Sequence, residues 1–233
     1  MKKKVAIIQS NYIPWKGYFH IIQSVDDFVL LDDVQYTRRD WRNRNLIKTK
    51  SGLKWLTIPV EVKGNYHAKI NEVCSVGSAW RLQHWNYIRE AYQHSRYYQT
   101  LSPDFKELYL GSEEINLSKI NLSFIKLINL LLNINTPLHW SMDFGEPSEK
   151  TERLVHICQC LNATAYLSGS AAKEYLNVDL FLDKGIEVLW ADYSGFKEYS
   201  QLHPPFEHGV SVIDLLFNEG PNALTYLKDK LWM

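Results

Sequence analysis

Two short apolar runs near the start of the chain have the pattern of buried strands. Residues 5–8 and 28–31 are continuously apolar, and residues 17–24 between them carry apolar side chains at helical spacing. This order predicts a strand–helix–strand unit, in which the right-handed parallel crossover is strongly favoured. Polar residues follow both strands, so the pattern places 9–12 and 33–36 at one edge of a parallel sheet, where open α/β sheets bind ligands.

The middle third of the chain is mainly helical in pattern, and the last third returns to alternating strands and helices. Pro59 restricts a predicted strand at 55–62 to a sheet edge or a bulge. Helices are predicted at 79–97, 104–109, 118–132, 150–161, 171–175, 210–217 and 222–231, and strands at 165–167 and 186–190. The whole pattern predicts one α/β domain over 1–233 with a mostly parallel sheet, and a helical insertion or subdomain at 79–135.

Composition and charge exclude several classes of protein. Lys plus Arg and Asp plus Glu both total 26, so the chain lacks the basic excess of a nucleic-acid-binding protein. The apolar run after the initial lysines lasts only four residues, too short for a signal peptide, and the segment 125–134 is too short to span a bilayer. Three cysteines without a CxxC motif suit a reducing compartment. We therefore expect a soluble cytoplasmic protein with no membrane span and no nucleic-acid partner.

The first segment with candidate chemistry is the turn QSNYIPWKGYFH, which starts at Gln9. It lies where the first strand should pass to the first helix. Gly17 would allow a ligand to approach the helix start closely, and Pro14 would stiffen the loop before it.

The second candidate segment, DDVQYTRRDWRNRN, follows the second strand. Four of the seven residues 38–44 are arginines, which can bind phosphate or carboxylate, and Trp41 among them offers a stacking surface. The alternative is a solvated loop with local ion pairs, because three aspartates nearly balance the charge.

The third candidate segment is YLSGSAAKEY. A strand would end at Ser168, Gly169 would allow a tight turn, and Ser170 would cap a helix whose first turn carries Lys173. A helix N-terminus with a lysine is an anion site, although an ordinary cap with a surface lysine is an equal alternative. His203 and His208 lack the spacing of metal ligands, so no metal site is predicted.

These motifs resemble those of a known family. QSNYIPWKGYF is similar to the QPxYLPWxGYF opening of the WbqC-like proteins, with Ser10 in place of a proline. DDVQYTRRDWRNRN, KWLTIPV, YLSGSAAKEYL and SVIDLLFNEGP resemble later blocks of that family in the same order. The resemblance, which runs from about residue 5 to 222, implies a role in surface-polysaccharide (O-antigen-like) biosynthesis.

A second, weaker resemblance concerns the fold. The first strand and its Pro/Gly loop are similar to the start of the HIGH-motif nucleotidylyltransferases and pantothenate synthetases, which implies a nucleotide-binding three-layer α/β sandwich. Trp15-Lys16-Gly17-Tyr18 occupies the H-x-G-H position, so both histidines are replaced. The resemblance therefore does not imply histidine-assisted phosphoryl transfer for this chain.

Together these observations favour an enzyme that adds an acyl or aminoacyl group to a nucleotide-activated amino sugar. Its partners would be that sugar and a small carboxylic acid or acyl donor, with ATP or another acyl-activating donor as cofactor. Asp33 would be the general base and Lys173 would assist the departing phosphate. The predicted binding residues are Gln9, Tyr12, Trp15, Gly17, Tyr18, Gln35, Arg39, Trp41, Asn43, Arg44, Ser168, Gly169 and Ser170. The alternatives are a nucleotidylyltransferase that makes the activated sugar, or a non-catalytic subunit of polysaccharide assembly.

Overall fold

The protein contains both strands and helices in a computed structural model that describes residues 2–145 and 150–227. In chain order these elements are β1 (Lys4–Ile8), α1 (Lys16–Gln23), β2 (Asp27–Leu30), β3 (Arg44–Thr49), β4 (Gly52–Thr57), α2 (Ala79–Tyr92), α3 (Tyr98–Leu110), α4 (Leu117–Leu131), β5 (Leu138–Trp140), α5 (Lys150–Cys160), β6 (Ala165–Ser168), α6 (Val178–Leu182), β7 (Glu187–Trp190) and α7 (Val212–Glu219). Short 3-10 helices cover Ile70–Glu72, Ser141–Phe144, Ser170–Glu174 and Gly220–Tyr226.

Five of the strands form a parallel sheet in the order β5-β2-β1-β6-β7. Successive side chains of a strand point to opposite faces. Accordingly, Ala6 and Phe28 contribute to the core on one face of the sheet, and Val5 and Val29 to the core on the other. The first core includes side chains of α1, α2, α3, α4 and α7, and the second those of α5 and α6. The predicted α/β class with a mostly parallel sheet is confirmed, and the arrangement is consistent with three layers.

The hairpin β3–β4 lies outside this sheet and differs from the prediction. The strand predicted at 55–62 is wrong in its limits, because β4 ends at Thr57 and pairs antiparallel with β3. Beyond Thr57 the amide of Ile58 still donates to the carbonyl of Asn43 at 2.8 Å, which continues the register of the hairpin by one pair. Val60 then forms an isolated bridge with Ser75, an arrangement that suits the neighbouring proline.

The helices also differ from their predicted limits. The helix predicted at 79–97 ends at Tyr92, and the short one at 104–109 is the second half of α3. The helix predicted at 222–231 is a 3-10 helix, Gly220–Tyr226, as far as Leu227, and the remainder lies outside the described residues. The division of the chain into a domain and an insertion at 79–135 stays a prediction.

Candidate functional site

The order of the strands creates a switch point between β1 and β6. From β1 the chain moves outward to β2 and β5, and then returns to β6 and β7 on the other side. Open parallel sheets bind ligands in the crevice outside the carboxyl ends of two such strands. Gln9 follows β1 and Gly169 follows β6, so these two predicted residues flank the crevice.

The turn after β1 is held by buried polar contacts. The amide of Ser10 donates to Asp32 Oδ1 at 2.7 Å. Ile13 has a φ of +38°, a conformation that is unusual for a β-branched residue. Asn45 Nδ2 donates to the carbonyls of Tyr12 at 3.1 Å and Ile13 at 3.0 Å. The Asn45 side chain, on β3, therefore fixes the backbone of this turn, although the two are far apart in the sequence.

Trp15 forms one wall of the crevice. Its ring lies 5.3 Å from that of Tyr193 and 5.7 Å from that of Phe196, between centroids. A Cβ on Gly17 would lie 2.2 Å from the indole of Trp15, so this glycine makes room for the protein's own side chain. A Cβ on Gly169 would lie 3.6 Å from the Tyr193 hydroxyl, which places β6 beside the same aromatic wall.

Two tyrosines of the turn point into the protein. Tyr12 is fully buried, and its hydroxyl contacts His84 Nδ1 at 2.9 Å and the Tyr109 hydroxyl at 2.5 Å. Burial raises the pKa of Tyr12 well above its usual value and lowers the pKa of His84 to about 4. Tyr18 is buried, and its hydroxyl donates to the carbonyl of Gln9 at 3.2 Å. Both tyrosines thus support the turn from the core side.

The arginine-rich segment packs directly against the turn. Arg42 is buried and donates to the carbonyl of Ser10 at 3.3 Å and to the side chain of Asn11. Asn43 is also buried, and its amide donates to the carbonyl of Ile58 at 2.8 Å. Arg42 therefore supports the backbone of the turn, and Asn43 is fixed beside it in the interior.

Other residues of the arginine-rich segment lie at the surface. Trp41 and Trp55 are 41% and 43% exposed, with ring centroids 5.4 Å apart. The guanidinium of Arg44 lies 4.2 Å from the Trp55 ring centroid and also donates to the carbonyl of Arg39. The exposed Gln35 side chain donates to a loop carbonyl at 2.8 Å. These residues form an aromatic and cationic patch on the outer side of the hairpin.

The two aspartates after β2 have different surroundings. Burial raises the pKa of Asp32, while hydrogen bonds from Ser10 and Ser118 lower it in part. Asp33 Oδ1 accepts a hydrogen bond from Ser141 Oγ at 2.5 Å, and Oδ2 forms an ion pair with Arg153. Both carboxylate oxygens of Asp33 are therefore engaged.

The segment after β6 forms a five-residue 3-10 helix, Ser170–Glu174. The residue before it is Gly169, and no side chain caps the helix, so the predicted cap by Ser170 is wrong. Ser168 is buried within the sheet. Lys173 is exposed, with its Nζ 5.5 Å from the ring centroid of Trp190 at the end of β7. Lys173 is therefore a cation at the carboxyl edge.

Several residues at this edge escaped the sequence analysis. Tyr193 follows β7, so the rule that directs attention to the carboxyl ends of strands could have found it. Lys16 lies inside the first motif and is buried at the start of α1. Ser141 and Arg153 contact Asp33 from 108 and 120 residues away, and no local pattern indicates them.

Three further observations concern a second surface feature, metal binding and membrane insertion. A shallow, open depression with a volume of about 410 Å3 lies between α3 and α4, and none of its lining residues follows a strand of the sheet. Over residues 2–145 and 150–227, no cluster of three or more His, Cys, Asp or Glu side chains could hold a metal ion. No helix in these same ranges is long and apolar enough to cross a membrane.

The fold and the crevice define an open parallel α/β protein with its candidate site at a topological switch point. Within that class, the chain belongs to the WbqC-like protein family, which matches residues 9–226. It is 45% identical over 226 residues to "Uncharacterized protein Rv1507c" of Mycobacterium tuberculosis (strain ATCC 25618 / H37Rv), covering 97% of this chain and 98% of the relative. No solved structure matches the chain. Membership of this family is consistent with a polysaccharide-related role.

Proposed function

We propose that this protein is a transferase of surface-polysaccharide biosynthesis that attaches an acyl or aminoacyl group to the amine of a nucleotide-activated amino sugar. The sugar nucleotide would bind at the carboxyl edge between β1 and β6. The acyl group would come from a small carboxylic acid activated by ATP, or from another activated acyl donor.

One observation carries the proposal. The three motif segments converge at the switch point: the Trp15 ring contacts Tyr193, Tyr193 lies beside Gly169, and Arg42 donates to Ser10. A crevice with an aromatic wall and peripheral cations suits a ligand that combines rings with phosphates. Family membership supports the choice of a sugar nucleotide within that ligand class.

Lys173 is the proposed phosphate contact. Its exposed ammonium lies over Trp190 at the carboxyl edge, where it can move toward a bound diphosphate. A positioned cation stabilises the negative charge that develops on a departing phosphate. Arg44, at the start of β3, and Arg39, in the loop before β3, would contact a carboxylate or phosphate of the second substrate.

Asp33 has a changed role in this proposal. Because Ser141 and Arg153 engage its two oxygens, we infer that it positions Arg153 and does not act as the general base. Losing one partner of a buried ion pair is strongly destabilising, so Asp33→Asn should reduce stability as well as turnover.

The test is a product assay. The protein is incubated with ATP, a panel of carboxylic and amino acids, and UDP- or dTDP-linked amino sugars, and the sugar is followed by mass spectrometry. We expect a sugar product heavier by one acyl group. An unchanged sugar across the panel would overturn the proposal.

A matched pair of variants locates the activity. Lys173→Ala should lower kcat by about 10- to 1,000-fold while the protein stays folded. Lys184→Ala is the control, because Lys184 is also exposed but precedes β7 at the opposite edge of the sheet. Equal turnover in both variants would place the reaction elsewhere on the molecule.

A further inference from the structure

Lys16 is a cation buried beside the proposed site with few polar contacts. It begins α1 and is 2% exposed. Its Nζ donates to the carbonyl of Lys197 at 3.1 Å. The same Nζ lies 5.2 Å from the ring centroids of Phe196 and Tyr199 and 5.4 Å from that of Phe206. Three aromatic rings thus replace most of the water that an ammonium group normally binds.

The segment that covers Lys16 is the strap, residues 193–210, between β7 and α7. It contains no helix or strand. Side chains from the body of the protein hold its backbone: Lys48 donates to the carbonyl of Pro205, and Lys16 to that of Lys197. Gly195 has a φ of +71°, a conformation that glycine adopts easily. A single side chain of such a segment can move without unfolding a regular element.

The charged groups that face Lys16 come from two elements. Asp214 on α7 and Glu198 on the strap favour its charged form. His208 on the strap is near enough for Lys16 to lower the pKa of that histidine, after the larger effect of burial. Desolvation outweighs both carboxylates and lowers the pKa of Lys16 to about 8.

Asp214 itself is buried and accepts hydrogen bonds from Tyr199 at 2.7 Å and Gln201 at 3.0 Å. Burial raises the pKa of Asp214, and Lys48 lowers it in part. On the other side of Lys16, His20 lies one turn further along α1, with its ring 5.5 Å from that of Phe196. The amine is therefore enclosed by a mixed aromatic and charged cluster.

Phe196 connects this cluster to the crevice. Its ring lies 5.7 Å from Trp15, which forms the crevice wall, and 5.2 Å from Lys16 Nζ. One aromatic side chain therefore separates the amine of Lys16 from the aromatic wall of the proposed substrate site. A change in the side-chain conformation of Phe196 would remove that separation, while Tyr199 and Phe206 still cover Lys16.

We propose that Lys16 is a catalytic residue, which accepts the proton of the sugar amine during acyl transfer once the side chain of Phe196 has moved aside, while the rest of the strap still covers Lys16. This inference rests on the proposed function. The amine nitrogen forms a bond to the acyl carbonyl carbon, and the bond from that carbon to its activating group breaks. The electron pair leaves with the activating group, which is the phosphate of AMP when the donor is an acyl-adenylate. The proton lost by the nitrogen moves to Lys16 Nζ.

The chemistry of a desolvated lysine suits this role. Burial in an apolar pocket converts lysine from a fixed cation to a usable base. A base is most effective when its pKa is close to the working pH. The ammonium formed in the reaction would then be held by the Lys197 carbonyl and by the charge of Asp214.

The first experiment requires no substrate and so is independent of the proposed function. The lysine side chains are labelled with 13C at Cε and titrated by NMR, and the Lys16→Arg spectrum assigns the Lys16 signal. We expect that signal to titrate with a midpoint near 8. A midpoint above 10 would overturn the proposal whatever the protein catalyses.

The second experiment uses the acyl-transfer assay. Lys16→Ala should lower kcat by about 100-fold or more, and small primary amines added to the solution should restore part of it in order of their basicity. Lys184→Ala, at the opposite edge of the sheet, is the control and should not respond to added amines. Circular dichroism shows that the variants are folded, and Lys16→Met provides a second variant that keeps the volume of the side chain.

The outcomes separate the two proposals. Loss of turnover in Lys16→Met with rescue of Lys16→Ala supports both. Wild-type turnover in Lys16→Met overturns the role of Lys16 and leaves the proposed function standing. A wild-type protein without acyl transfer overturns the proposed function, and the role of Lys16 falls with it even if the amine titrates near 8.

Discussion

Two buried polar clusters begin four residues apart in the same turn, and they differ in charge and in what covers them. The Tyr12 cluster (Tyr12, His84 and Tyr109) is neutral and lies among the helices α2, α3 and α4. The Lys16 cluster (Lys16, Asp214 and Tyr199) is charged, and Tyr199 belongs to the strap that covers the other two residues. Polar groups that satisfy one another within a rigid enclosure mainly stabilise a fold. A charged group that a single movable side chain separates from a binding site can take part in chemistry.

The largest expected effect concerns the enclosed cluster. Tyr12→Ala should lower the free energy of unfolding by about 3–5 kcal/mol, since it removes a fully buried aromatic side chain. Tyr12→Phe keeps the ring and should cost about 1–3 kcal/mol, because His84 Nδ1 loses its partner. Urea denaturation measures both. Near-wild-type stability in the alanine variant would show that the cluster is not a rigid part of the core.

Acid should weaken the same cluster. The pKa of His84 is about 4 in the folded protein, below the ordinary value of 6.5, so the unfolded chain binds the proton first. The contribution of His84 is therefore complete above pH 6.5 and is lost as the pH falls through 4, by about 3 kcal/mol in total. His84→Gln removes the titrating group. The difference in unfolding free energy between wild type and variant should fall over this range, and a constant difference would contradict the prediction.

The Lys16 cluster should show its pH dependence on the alkaline side. Folding lowers the pKa of Lys16 from 10.5 to about 8, so the unfolded state binds more protons between these values. Stability from this group therefore rises with pH, by about 1.6 kcal/mol between pH 8 and 9.5. Lys16→Met is the reference, because tyrosines that ionise only at higher pH affect both proteins equally. A difference that falls or stays flat over that range would argue against a desolvated amine.

The smallest expected effects concern two glycines at the crevice. Gly17→Ala should cost about 1–3 kcal/mol, because its Cβ would overlap the Trp15 ring and displace the wall beside Lys16. Gly169→Ala is the matched comparison, with an ordinary 3.6 Å contact and a φ of −66°, and should change stability by less than about 0.5 kcal/mol. Thermal unfolding measures both. A larger loss of stability in Gly169→Ala than in Gly17→Ala would mean that the Trp15 indole moves aside without loss of stability.

The elements that could be predicted are those with a strong local pattern. The strands β1 and β2 are fully or mostly buried, and after a first charged residue (Lys4 or Asp27) they are apolar, so their continuous runs identify them. The strand β5 has only three residues, all half-buried, and leaves no such run. In β3, the polar residues of RNLIKT interrupt the apolar pattern that would identify a buried strand. Asn45 and Lys48 are nevertheless buried there, because they donate hydrogen bonds to distant carbonyls.

The candidate site was predictable in location more than in detail. Polar motifs after strands indicated the carboxyl edge, which contains Gln9, Gly169 and Lys173. The interpretation of Gly17 as space for a ligand did not include Trp15, two residues away, because a sequence does not show the direction of an indole. The environment of Lys16 depends on aromatic residues about 180 positions later, and no local pattern could reveal it.

The indole that covers Gly17 also limits how this turn can vary among relatives. Positions 15 and 17 share one volume, so a side chain at 17 requires a smaller residue at 15. Such an exchange would remove the ring that contacts Tyr193 and Phe196. We expect the two positions to change together or not at all, and a relative that has changed both to have a differently shaped crevice.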